Sequence, residues 1–291
     1  MPQTRLHFIA TRPDSTALFS LLEREFEDDG LALAVFEIDE AEGTEEISVY
    51  ADAAEANDIE NRIRIAAGAP GAALEIAHEA LPDIDWVTKS LEGLKPVRAG
   101  RFLIHGAHDR DRRRIGDLAI EIEAGLAFGT GHHGTTAGCL EMLHRVARRE
   151  APRNALDLGT GSAVLAIALA KLSHIPVLAT DIDAVATKVA AQNVRLNGVS
   201  TYVETVTAAG FQDPIFAARG PFDLIVANIL ARPLMRLAPQ MATYVTPGGS
   251  LVLSGILDRQ RDAVVAAYAG QRFRHVRTTH REGWVTIHLK R

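Results

Sequence analysis

The sequence contains one cysteine, Cys139, in 291 residues. A single thiol rules out an internal disulfide and suits a reducing cytoplasm. Long apolar runs are missing: none approaches the ~20 residues that a membrane helix needs. The apolar stretch within the N-terminal MPQTRLHFIATRPD is too short for a signal peptide. Low-complexity tracts are missing too, which argues against extended disorder. Apolar residues make up 47% of the chain, enough for sizeable cores, and the length is comfortable for two domains. A soluble intracellular, cytoplasmic protein is expected.

Charge is unevenly spread. Residues 1–90 hold 20 acids and 6 bases, a balance of −14, whereas 91–291 hold 17 acids and 25 bases, a balance of +8. Such asymmetry reads either as ordinary solvated surface or as an acidic module that attracts a basic partner such as a ribosomal protein.

The N-terminal segment alternates element types. RLHFIAT reads as a strand, and TALFSLLEREFEDD as a helix that Asp14 or Ser15 is placed to cap. LALAVFEID and EEISVYAD form a hairpin signal, AAEANDIENRIRIAAG a helix stopping at Gly68, and ALEIAHEAL a last strand. That order, βαββαβ, predicts a small ferredoxin-like α+β domain over 1–82. Residues 83–115 read as a helical linker broken by Pro96 and Gly100, with the basic run DRDRRR at 109–114 as a solvated face. From 116 onward strands and helices alternate and end in a hairpin. This predicts seven strands in a mostly parallel sheet covered by helices on both faces, with one antiparallel strand.

Three motifs fall at strand ends of this second domain. DLGTGS turns a buried strand into a buried helix, and Gly159 and Gly161 let backbone approach a ligand at the helix N-terminus. The third glycine of a dinucleotide fingerprint is absent, because Val164 stands there, which counts against NAD. In TDID, Asp181 follows Gly159 by 22 residues, the place of an acid that binds ribose hydroxyls. Asp183 is the better cap for the next helix, and Ile182 between them flanks the same pocket. FDLIVANIL ends on Asn228, whose amide either serves the site or caps the following helix.

LAFGTGHHGTT (126–136) precedes a helix-like run. As a phosphate loop it lacks the lysine, since Thr135 occupies that place. As a metal site it fails because His132 and His133 are adjacent, and Cys139 and Glu141 complete no tetrahedron. A glycine-hinged flap remains, whose Thr135 and Thr136 open a helix able to meet a carboxylate. S-adenosylmethionine carries such a group and NAD does not.

FGTGHHGTT, DLGTGS, TDID and ANIL in this order resemble the PrmA-type methyltransferases that modify ribosomal protein L11. The resemblance covers the whole chain and implies a class I methyltransferase domain over 116–291, a Rossmann-like α/β fold with a seven-stranded mixed sheet. It assigns the acidic domain to substrate recognition and implies S-adenosyl-L-methionine as cofactor; the short apolar runs and the lone basic run lead us to expect no membrane and no sequence-specific nucleic acid as partner. Carried over, the family's cofactor positions fall on Thr136, Gly159, Asp181 and Asn228. Phe128, Gly129, Thr135, Gly161 and Ile182 complete the expected pocket. Ala163 departs from the family, where glycine is common; its small size predicts tolerated packing.

The implied reaction methylates lysine side chains and the N-terminal α-amine of L11. An in-line displacement at a sulfonium needs alignment above all. The amine must lose its proton, against a free-lysine pKa of about 10.4, and desolvation beside a cation favours that loss. Asn228 is the candidate orienting group, and His132 or His133 is either a proton acceptor or simply a residue of the flap. The competing readings are an inactive ribosome-associated module that binds the cofactor, and a nicotinamide oxidoreductase. Asn228-Ile-Leu also lacks the prolines and aromatic of methyltransferases that stack planar amides.

Overall fold

A computed structural model describes residues 3–26, 29, 31–39, 43–68, 71, 74–81, 96–122 and 134–291. The chain divides into two compact units, Met1–Trp86 and Val87–Arg291.

The first unit runs β1 (Gln3–Thr11), α1 (Arg12–Glu25), β2 (Ala32–Asp39), β3 (Thr44–Asp52), α2 (Ala56–Ala67) and β4 (Ala77–Leu81). Its sheet has the antiparallel order β2-β3-β1-β4 of a ferredoxin-like sandwich. Strand alternation decides which face is buried: Leu6 and Phe8 of β1 and Ile47 and Val49 of β3 point inward. Leu18 and Leu22 of α1 and Ile59 and Ile63 of α2, each four apart, close the core. Arg5 and His7, on the opposite face, pair with Glu46. The expected cap of α1 is different in the structure. Thr11 is the N-cap and makes no side-chain cap bond, its hydroxyl donating instead to Asp14 at 2.6 Å, while Ser15 is buried.

The second unit opens with β5 (Val97–Ala99), β6 (Phe102–His105) and β7 (Leu118–Glu121), a small sheet in that order. The helical reading of 83–115 is therefore corrected over 97–105, while 82–95 lies outside the described residues. Phe102, Leu103 and Ile104 make β6 a fully buried run, and such a short apolar run carries no period to tell strand from helix. Asn197, which ends the later helix Ala184–Leu196, ties that helix to this sheet: its Oδ1 accepts from the Glu121 amide at 3.0 Å and its Nδ2 donates to the Glu121 carbonyl at 2.6 Å.

Then follow α3 (Gly134–Glu150), β8 (Ala155–Leu158), α4 (Val164–Ser173), β9 (Val177–Asp181), α5 (Ala184–Leu196) and β10 (Val203–Thr207). The chain continues through α6 (Ile215–Arg219), β11 (Phe222–Asn228), α7 (Ala231–Tyr244), β12 (Val245–Leu257), α8 (Arg261–Ala269), β13 (Arg274–Arg281) and β14 (Trp284–Lys290). The seven-stranded sheet has the order β10-β9-β8-β11-β12-β14-β13, and β14 runs antiparallel to both neighbours. Each central strand feeds two cores. Leu224 and Val226 of β11 face α3 and α4, and Ile225 and Ala227 face α7. Helix α4 is buried from Val164 to Ala170, which explains its all-round apolar sequence. Truncating Leu169 there to alanine costs about 2–5 kcal/mol. Among the described residues no helix is long and apolar enough to cross a membrane.

Candidate functional site

The chain winds from β8 outward to β10 on one side and from β11 to β12 on the other, so the sheet reverses direction between β8 and β11. Ligands of open α/β sheets bind beyond the strand carboxyl ends at such a reversal. Gly159, Asp181 and Asn228 stand at the ends of β8, β9 and β11.

The turn after β8 is built by backbone that most side chains disfavour. Gly159 and Gly161 have φ of 72° and 54°. Both the Gly159 and Thr160 amides donate to the Thr180 carbonyl at 2.8 Å, and Asn193 Nδ2 donates to the Ser162 carbonyl at 3.0 Å. A β-carbon on Gly159 would lie 2.3 Å from Cγ2 of Ile229. Gly255, also at positive φ, would place one 2.4 Å from the Ile229 carbonyl oxygen, so Ile229 sits between the two glycines.

Asp181 is half-buried and oriented by backbone: Oδ2 accepts from the Gly161 amide at 2.9 Å and Oδ1 from the Asp183 amide at 3.1 Å. Each oxygen keeps a lone pair for another donor. Asp183 caps α5 by accepting from the Val185 amide at 2.8 Å, as expected, so the cap does not draw on Asp181. Ile182 is 75% exposed beside them. Asn228 does not cap α7, whose N-cap is Leu230. Its Nδ2 instead donates to Thr136 Oγ1 at 3.4 Å. Thr135 and Thr136 are buried in the first turn of α3. Phe128, Gly129 and His132 lie outside the described residues.

The profile of the family described as ribosomal protein L11 methyltransferase (PrmA) matches residues 23–291. The chain belongs to the PrmA family. It is 67% identical over 290 residues to a ribosomal protein L11 methyltransferase of Mesorhizobium japonicum, covering the whole of both chains. It is 60% identical, again end to end, to one of Chelativorans sp.. A solved structure of a ribosomal protein L11 methylase from Lactobacillus delbrueckii subsp. bulgaricus is 30% identical, with a TM-score of 0.61 over 68% of this chain and 99% of that one. As a PrmA-family member the chain is an S-adenosylmethionine-dependent methyltransferase with a class I fold.

Three features of this PrmA-family site escape a reading of motifs alone. Asp157 is buried at the end of β8, where one oxygen accepts from Thr160 Oγ1 at 2.7 Å and the Ala166 amide at 3.0 Å. Burial pushes its carboxyl up to about 7. An acid inside the apolar strand ALDL was the available signal. Ala163, the departure from the family's glycine, holds φ 65° and ψ 20° as the N-cap of α4 and is fully buried. Its cost is conformational, not steric, because L-residues resist the left-handed region. Cys139 is buried in α3 beside Ser254 and Thr286, and burial pushes its thiol up to about 12, so it is no nucleophile.

Proposed function

We propose that the chain methylates amines of ribosomal protein L11, both lysine side chains and the N-terminal α-amine, in the cytoplasm. The carrying observation is that the family match starts inside the first unit and runs to the last residue, so both units belong to the likeness.

When bound, S-adenosylmethionine supplies a methyl group on a sulfonium leaving group. The residues present fit such a group. The Asp181 carboxylate, fixed by two amides, accepts the ribose hydroxyls, with Ile182 offering apolar surface alongside. Gly159 and Gly161 bring bare backbone against the cofactor. Thr135 and Thr136 open a 17-residue helix, whose positive end favours a carboxylate. Phe128 and Gly129 complete the pocket, and His132 or His133 is the candidate proton acceptor. Asn228 commits its amide donor to Thr136, which leaves Oδ1 to accept from the incoming amine and aim its lone pair. The acidic first unit suits a basic ribosomal protein, with 20 acids against 6 bases over residues 1–90.

Incubation with methyl-labelled cofactor and purified L11 tests this reading. Label on lysines and on the α-amine supports it. Cofactor binding without transfer would instead indicate an inactive module.

A further inference from the structure

The basic run at 109–114 has no part in the strand-end site; it lies in the connection between β6 and β7 of the small sheet, of which Ala107–Arg112 is a 3-10 helix. That placement gathers further arginines around it. Arg98 Nη2 donates to the Arg112 carbonyl at 2.8 Å, and Arg101 Nη2 to the Gly116 carbonyl at 3.2 Å. From Arg101 the positive surface continues onto α3. Arg101 and Arg148 both disfavour the charged form of His144, a smaller effect than its burial, and the His144 ring meets Phe102 edge-on at 6.4 Å.

The acids within this surface are mostly spent on its other arginines. Asp109 pairs with Arg112 at 2.7 Å, Asp117 with Arg98 at 2.9 Å, and Glu121 with Arg110 at 2.8 Å. Arg101, Arg113, Arg114 and Arg148 remain, all exposed, and none makes an ion pair within the described residues; Asp111 is the acid left over. Ile115, between Arg114 and Gly116, is completely exposed. Arginine forks match phosphate oxygens in pairs, and clustered arginines that release counterions bind a phosphate chain more strongly than they bind scattered carboxylates. The exposed isoleucine adds an apolar contact for sugars and base edges.

We propose that this face binds the phosphodiester backbone of RNA without reading its sequence. The choice of RNA rests on the substrate proposed above, since a ribosomal protein is met beside RNA. The surface then retains the enzyme next to its target.

The test titrates the full chain with a fluorescently labelled hairpin RNA of arbitrary sequence at about 50 mM salt and upward. Arg113→Glu combined with Arg114→Glu is expected to weaken binding at least tenfold. The salt slope is expected to fall by about 1–2, since each lost phosphate contact removes ~0.7–0.9. Arg101→Glu, on a different element, is expected to weaken binding too, and Asp111→Arg to tighten it, with free-L11 methylation within about twofold of the parent throughout. Equal RNA affinity in parent and variants, or no saturable binding by the parent, overturns the proposal. So does displacement by polyglutamate at matched charge, which assigns the face to an acidic protein. Arginine-dependent RNA binding with no label on L11 upholds this inference and rejects the proposed substrate alone.

Discussion

Asn228 donates its side-chain amide to the hydroxyl of Thr136 at 3.4 Å, joining the end of β11 to the first turn of α3 across 92 residues of sequence. The bond fixes which way the amide faces. Thr136→Val removes the acceptor, and Thr136→Ser keeps it. A net hydrogen-bond worth of about 0.5–1.5 kcal/mol sets the expected loss in kcat at ~2–10-fold for valine, with serine near the parent. Steady-state kinetics check this, and a valine variant with unaltered kcat would remove Thr136 as a positioning residue.

Asp181 presents its carboxylate where both oxygens are already oriented by amides. Hydrogen bonds to a charged group are worth about 1.5–3 kcal/mol, so Asp181→Ala should weaken cofactor binding roughly 10–100-fold. Titration calorimetry measures it; unchanged affinity would cancel the ribose assignment.

Ala163→Gly should stabilise the chain. Relief of a left-handed alanine is worth about 1–2 kcal/mol, offset by about 0.5–1 kcal/mol for the freer glycine in the unfolded chain. The net gain of ~0.5–1 kcal/mol should lift Tm by about 2 °C. A lower melting temperature would contradict the strain argument.

Asp157 has a folded-state pKa of about 7, raised by burial from an ordinary 3.8. A raised carboxyl binds protons more tightly in the folded state. Its contribution is therefore fully present below 3.8 and is lost as pH climbs through about 7. Asparagine can accept both existing bonds through its single oxygen, because Thr160 and Ala166 share one oxygen of Asp157. Asp157→Asn should thus gain stability relative to the parent between pH 5 and pH 8. Denaturant melts at the two pH values decide, and a constant difference would count against the buried charge.

The two units have separate hydrophobic cores, Leu6 to Ala67 in one and Ala99 to Leu289 across the two clusters of the other. Deleting residues 1–85 should leave cofactor binding intact and abolish methylation of L11. A truncated enzyme that modifies L11 at the parental rate would refute a recruiting role for the acidic unit.

Strands β8, β9 and β11 were legible because they are apolar runs closed by Gly159, Asp181 and Asn228, and the polar β13 only through the Glu282-Gly283 turn that joins it to β14. The division between Asp181 and Asp183 was legible for a local reason: an N-cap must sit directly before its helix, and only Asp183 does. The small sheet was not legible. Its strands are 3 to 4 residues long, and Phe102-Leu103-Ile104 is as compatible with a buried helical turn. Asp157 and Gly255 were missed because their partners, Ala166 and Ile229, lie on other segments that meet them only in the folded sheet.

Ile229 has a further consequence. The side chain of Ile229 fills the volume that Gly159 leaves vacant and its backbone runs against Gly255, the two glycines belonging to the strands on either side of β11, so these three positions form a single mechanical joint. Exchanges there should behave as a linked set: enlarging Gly159 pushes on the isoleucine side chain and enlarging Gly255 on its backbone, so either one displaces the same residue, whereas trimming the isoleucine opens the Gly159 side alone.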